Sequence, residues 1–125
     1  MSTWTSGDVT RIGDADELQI SSVRRDGSRS RPVTIWVVAH GGELYVRSAN
    51  GPTAGWYRGI QARHEGHIHA GGLDVDATFT TVNDEDLQQH LDAAYRSKYR
   101  RYGARYIDMM LAPQARAATL KLTPR

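Results

Sequence analysis

The 125-residue sequence predicts a mainly β, α+β domain: six or seven antiparallel strands, a short helix after the third strand and a longer helix in the C-terminal half. Three observations lead there. Gly41-Gly42 and Gly71-Gly72 each sit between strand-like runs and mark tight hairpin turns. Val33 to Ala39, VTIWVVA, is the most apolar run and has little alternation, as expected of a central strand covered on both faces. Asn83-Asp84-Glu85-Asp86 opens a long stretch with apolar residues at helical spacing, its acids suited to a helix start.

In chain order, Trp4 to Glu17 mixes Thr, Gly and Asp with single apolar residues and is expected to be a lead-in. Ser6-Gly7-Asp8 or Asp14 could cap one short helical turn there. Leu18 to Val23 reads as the first strand, and Arg24-Arg25-Asp26-Gly27-Ser28 carries an Asp-Gly hairpin signal in a loop longer than two residues. Pro32 fits the start of the next strand, where a missing N–H removes least from the ladder. Leu44 to Ser48 then completes a three-stranded meander. Asn50-Gly51-Pro52 breaks the chain, and Trp56 to His64 follows as the short helix, with Ile60 turned inward and Trp56 a second candidate for that face.

His67 to Thr81, HIHAGGLDVDATFTT, is a second hairpin whose register follows from its two-residue loop. If Ala70 pairs with Leu73, then His69 faces Asp74, Ile68 faces Val75 and His67 faces Asp76. Period-two alternation puts both His and both Asp on one face and Ile68, Ala70, Leu73, Val75, Ala77 and Phe79 on the core face. The late helix should run from the acidic cap to about Tyr102, with Tyr95, Tyr99, Tyr102 and Tyr106 recurring at helical spacing. Gly103 should interrupt it, Ile107 to Leu111 should add a turn or two before Pro113, and Ala117 to Leu122 should be the last strand.

Composition narrows the function classes. The length suits residues 1-125 folding as a single domain with its own core. Cysteine is absent, which removes disulfides, thiolate metal sites and cysteine nucleophiles and fits a reducing cytoplasm. No secretory signal follows Met1, and no apolar stretch approaches bilayer-crossing length, so a cytoplasmic protein with no membrane partner is expected. The net charge is only +2, but Arg24, Arg25, Arg29 and Arg31 form one basic cluster and Arg96, Lys98, Arg100, Arg101 and Arg105 another. Neither is interleaved with a base-stacking aromatic pattern, so no nucleic acid partner is expected.

Three constellations carry chemistry. In Tyr45 to Arg63, YVRSANGPTAGWYRGIQAR, a strand runs through a glycine-rich loop into a helix. Free N–H groups and the helix dipole would meet Arg47, Ser48 and Arg58 there, an arrangement suited to a phosphate. His67, His69, Asp74 and Asp76 share a strand face; such pairs contribute roughly 0.2 to 1 kcal/mol each as surface electrostatics, and no metal site is expected. The tyrosine row is expected to pack on the sheet, with one or two phenols free to act as donors at a pocket mouth.

TIWVV, LYVRS, GWYRG, DAAYRSKY and the ending ATLKLTPR, in this order of elements, resemble a bacterial family of small proteins within the flavin-binding split β-barrel superfamily. That superfamily includes FMN-dependent pyridoxamine-phosphate oxidases and deazaflavin-dependent nitroreductases, and the deazaflavin branch is the better match. The resemblance implies an antiparallel split β-barrel, a homodimer, and FMN or deazaflavin serving an oxidoreductase that acts on a small molecule. It implies cofactor contacts from Arg47, Ser48, Asn50, Trp56, Tyr57 and Arg58, and a catalytic role among Tyr99, Tyr102 and Tyr106. The Ser-Arg-Lys phosphate signature of the FMN oxidases is not present as such. The alternatives are a non-enzymatic split-barrel protein binding a small ligand, and a cofactor-independent lyase or isomerase using Tyr or His as acid/base.

Overall fold

A computed structural model describes residues 3–125 of the chain. Among them, seven strands form one antiparallel sheet: β1 (Leu18–Ser22), β2 (Val33–Ile35), β3 (Val37–His40), β4 (Glu43–Arg47), β5 (Glu65–Ala70), β6 (Leu73–Thr81) and β7 (Thr119–Pro124). Their order is β2-β1-β5-β6-β7-β4-β3. The two ends of that order are neighbours in sequence, separated only by Trp36, so the sheet curls into a nearly closed split barrel. The helices are α1 (Ser6–Gly13), α2 (Gly55–Arg63), α3 (Glu85–Tyr99), α4 (Ala104–Leu111) and α5 (Pro113–Ala117).

The expectation of one central strand at VTIWVVA is corrected. The run does pair with both neighbours of the meander, β1 with β2 and β3 with β4, but it breaks at Trp36 into two edge strands. Val33 and Thr34 are exposed, whereas Val37 and Val38 are buried. A run that leaves one partner strand and joins another changes its covered face on the way, so the absence of alternation here records a barrel seam.

The β5–β6 hairpin has the expected register, with Ala70 opposite Leu73 and His67 opposite Asp76. Gly71 and Gly72 have φ of +57° and +78°, and Gly41 and Gly42 +59° and +79°. Positive φ at both turn positions is what a two-residue hairpin of the favoured twist requires, and glycine reaches it without steric cost.

Alternation along the strands divides the apolar residues between two cores. Leu44 and Val46 of β4 join Ile20, Ile68, Phe79 and Leu120 inside the barrel. Tyr45, one residue out of phase, packs with Val38, Leu91, Tyr95 and Tyr99 beneath α3. The lead-in is a true helix: Thr5, not Ser6 or Asp14, caps α1, its hydroxyl accepting the Asp8 N–H at 3.1 Å. Val9 and Ile12, three residues apart, seat α1 on the barrel core, and the indole N–H of Trp4 donates to the Leu122 carbonyl at 2.8 Å.

Asp84 caps α3, accepting the Leu87 N–H at 3.2 Å. The helix ends at Tyr99, tightens into a 3-10 turn over Arg100–Tyr102 and turns at Gly103 with φ +96°. The tyrosine row is therefore split: Tyr95 and Tyr99 are fully buried, and Tyr102 and Tyr106 are 41% and 54% exposed. Helix α5 was not anticipated; Pro113 at its first turn is preorganised for a helix start, and the last strand begins at Thr119.

Arg47, in phase with Tyr45, also points under the helices and is 1% exposed. Its Nη1 donates to the Met110 carbonyl at 2.9 Å and lies 2.7 Å from Asp92 Oδ1. Nη2 donates to Gln88 Oε1 at 2.6 Å and Nε to Thr119 Oγ1 at 3.1 Å. One guanidinium thus joins β4 to β7, α3 and α4. Removing one partner of a buried pair leaves the other desolvated and uncompensated. Arg47→Ala is therefore expected to cost about 3–5 kcal/mol of stability, read as a lowered urea midpoint with an unchanged slope in equilibrium unfolding.

Candidate functional site

A cleft of about 450 Å³ opens beside β2, the end of β4 and α4. Its walls are mostly apolar and aromatic, including Val33, Trp36, Trp56, Tyr106 and Met109. Val33, Tyr102, Tyr106 and Met109 are also the exposed large hydrophobic residues of the described chain, so the apolar surface is concentrated at this one rim.

Trp36, freed by the break between β2 and β3, forms one wall. It stacks on Tyr99 with ring centroids 3.9 Å apart and planes 1° from parallel. Tyr99 is itself held: its hydroxyl accepts the Val37 N–H at 3.1 Å and donates to the Asp16 carbonyl at 2.7 Å. Burial pushes the phenols of Tyr95 and Tyr99 far above the ordinary tyrosine value. Both stay neutral at physiological pH.

The floor is the end of β4. Ser48 is 1% exposed; its N–H donates to the Ala118 carbonyl at 3.1 Å and its carbonyl accepts the Gly51 N–H at 3.0 Å. Ser48 lines the cleft, and its buried hydroxyl has no hydrogen-bond partner among the described residues. A buried polar group left unpaired costs about 1–3 kcal/mol, which a ligand with a matching donor or acceptor would recover. The chain continues past Asn50 through a 3-10 turn, Gly51–Thr53, into α2. No side chain caps α2, whose N-cap is Ala54, so its first-turn N–H groups and dipole are available to an anion.

Of the residues singled out from sequence, Ser48, Asn50, Trp56, Tyr102 and Tyr106 come together at this cleft. Arg47 also lines the cleft, but its guanidinium is directed to α3, α4 and β7. Tyr57 is buried in the barrel core, where desolvation raises its phenol, and Tyr99 stands behind Trp36. Arg58 is exposed in the first turn of α2 and is not part of the cleft lining. Trp36, Met109 and Glu17 were missed. An aromatic residue in the middle of an unalternating run was the available signal for Trp36; Met109 and Glu17 become neighbours only through the turn at Gly103 and the barrel closure.

On the opposite hairpin, His67 Nδ1 lies 3.0 Å from Asp76 Oδ1 and Nε2 3.1 Å from Asp74 Oδ1, while His69 Nδ1 lies 3.0 Å from Asp74 Oδ1. The His67 hydrogen bonds hold both aspartates below the ordinary carboxylate value. Among the described residues no group of three or more His, Asp or Glu is arranged to hold a metal ion, and no helix is long and apolar enough to cross a membrane.

Tyr99→Phe separates the backing of Trp36 from its apolar packing. Loss of the hydroxyl leaves the Val37 N–H without that acceptor, at an expected cost of about 1–3 kcal/mol. A reduced near-ultraviolet dichroism from the stacked Trp36–Tyr99 pair should accompany the lower melting temperature.

Solved structures similar to this fold include the following three. An F420-H2 dependent reductase aligns with a TM-score of 0.61 at 17% identity, over 86% of this chain and 93% of that one. A putative pyridoxamine 5'-phosphate oxidase from Listeria innocua gives 0.60 at 10% identity, over 94% and 88%. HutZ, a heme storage protein from Vibrio cholerae, gives 0.63 at 15% identity, over 93% and 86%. At these identities the likeness establishes the split-barrel fold alone. No curated protein matches the sequence. Residues 8–122 match the family described as an uncharacterized protein conserved in bacteria, DUF2255.

Proposed function

This chain belongs to the DUF2255 family of bacterial proteins, and from the cleft described above we propose that it is a flavin- or deazaflavin-binding oxidoreductase acting on a small molecule. The observation that carries this reading is an aromatic cleft of about 450 Å³ with an unpartnered buried hydroxyl, Ser48, at its floor. A pocket of that size and chemistry suits a flat heteroaromatic ring with a few polar edges. A bound flavin or deazaflavin would supply hydride transfer.

The chain's own residues would bind and orient. Trp36 and Trp56 give the ring flat apolar surfaces, and Trp36 keeps its position because Tyr99 backs it. Ser48 would meet a polar ring edge. Asn50, the uncapped N–H groups of α2 and Arg58 would hold a phosphate, whereas the charge of Arg47 is engaged with Asp92. Tyr102 and Tyr106, half-exposed at the mouth, are the phenols able to deliver a proton to a substrate. Tyr57 acts through packing, and Tyr99 through packing and the hydrogen bonds of its hydroxyl to Val37 and Asp16. The two-tryptophan cleft therefore fits the group, and its phosphate rests on backbone dipoles more than on an arginine clamp.

The exposed apolar rim supports the homodimer that the family resemblance implies. Val33, Tyr102, Tyr106 and Met109 would be covered by a second copy, closing the cleft mouth against water. Sedimentation at micromolar concentration should give a dimer, and charge introduced at the rim by Met109→Lys should shift it toward monomer.

One observation favours a second reading. The charged residues lining the cleft are Glu17 and the internally engaged Arg47, a balance also suited to a neutral flat ligand bound without catalysis. Titration of the purified protein with FMN and with a deazaflavin decides between them. Micromolar binding with quenched tryptophan fluorescence is expected, weakened by Ser48→Val and by Arg58→Ala with the fold intact. Unchanged affinity in Arg58→Ala would remove that residue from the site, and failure of both cofactors to bind would overturn the oxidoreductase reading.

A further inference from the structure

Of the 16 basic side chains in this protein only Lys98 and Lys121 are lysines. Lys98 belongs to neither the cofactor cleft nor an ion pair among the described residues. It lines a second cleft of about 530 Å³ formed by α1, β3 and α3, whose lining shares no residue with the first.

The geometry around its nitrogen is unusual for a lysine. Nζ donates to the Ala15 carbonyl at 2.6 Å and to the Val37 carbonyl at 2.5 Å, and it stands 4.9 Å from the centroid of the Tyr99 ring. Two positions of the tetrahedral nitrogen are thereby occupied by neutral acceptors, and the third has no acceptor among the described residues. The charged groups facing it are Asp14 and Asp16 from the α1–β1 link and Arg101 from the end of α3, with the Tyr99 phenol alongside. Asp16 is already paired with Arg101. Burial therefore outweighs the two aspartates and lowers the Lys98 ammonium to about 8. Val38, Ala39 and Ala94 supply apolar wall, and Asp14, Asp16 and Arg101 leave little net charge.

We propose that Lys98 is a nucleophilic amine that captures small uncharged aldehydes in this second cleft. The neutral Nζ adds to the carbonyl carbon, forming the C–N bond. The carbonyl oxygen then leaves as water, taking its two protons from the nitrogen as the imine forms. No oxidant, metal or cofactor enters the step, and the open cleft gives the water an exit. A desolvated lysine amine is the group suited to such an addition.

Lys121, on β7, serves as the internal reference. The full-length protein is incubated with benzaldehyde and cyanoborohydride through a pH series spanning 8, and benzylated peptides are quantified by mass spectrometry. Lys98 should be labelled about tenfold faster than Lys121, because the larger free-amine fraction outweighs the weaker basicity. Its rate should climb through pH 8 and level off above it. The preference should vanish in urea, and Lys98→Arg should abolish the fast-labelled peptide while Lys121 labels as before. Equal or slower labelling of Lys98 in the folded protein, or a preference that persists in urea, would overturn the proposal.

Discussion

The guanidinium of Arg47 is the contact on which the arrangement of helices over this barrel depends. It is a full positive charge with 1% exposure, and it persists because each face of the fork meets a partner: Met110 on α4, Gln88 and Asp92 on α3, Thr119 on β7. A planar fork suits this better than an ammonium would, since its donors diverge in fixed directions toward three separate elements. Asp92 also lies 3.3 Å from Arg116 Nε, whose Nη2 donates to Glu85 at 2.9 Å, so the network continues to the surface. The polar seam lies between two apolar cores, and it fixes how α3 and α4 sit relative to β4. It also determines what the cleft offers a ligand, because an arginine that holds three elements has no donor left for a phosphate.

Around that seam, the break at Trp36 does two things at once. It lets one apolar run serve both edges of the sheet, closing the barrel, and it releases an indole to wall the aromatic cleft. The backbone groups of Val37 are met from α3, by the Tyr99 hydroxyl on the N–H and by Lys98 on the carbonyl. The two clefts are thus neighbours through a single residue, Val37. Trp36 takes its support from Tyr99 on one side, and Lys98 uses the same carbonyl on the other. Such sharing explains why a row of tyrosines at helical spacing ends in two buried anchors and two exposed phenols.

The local elements were legible because their signals are local. Paired glycines set two hairpin turns, the acidic cap set the start of α3, and period-two alternation in HIHAGGLDVDATF yielded the register of β5 and β6 and the face carrying both His-Asp pairs. The candidate site was legible as a stretch: Ser48, Asn50 and Trp56 do meet at the cleft. What the stretch could not reveal was the direction of each side chain. Arg47 and Ser48 are adjacent in sequence, yet the Arg47 guanidinium is taken up by α3, α4 and β7 while the Ser48 hydroxyl is left without a partner among the described residues. Tyr57 and Trp56 divide in the same way, because successive residues on a helix lie about 100° apart.

Sequence alone thus determined the hairpins, the two main helices and the glycine-rich passage between a strand and a helix, since each rests on backbone preferences within a few residues. Tertiary structure decided the remainder. Whether VTIWVVA was a centre or a seam depended on which strands lay beside it. Whether Arg47 was a ligand or an anchor depended on Gln88, Asp92 and Thr119, some 40 to 70 positions further along. The environments of Ser48 and Lys98, one unpaired and the other desolvated, exist only once distant segments have excluded water from them, and burial has no signature in a single residue's own sequence neighbourhood.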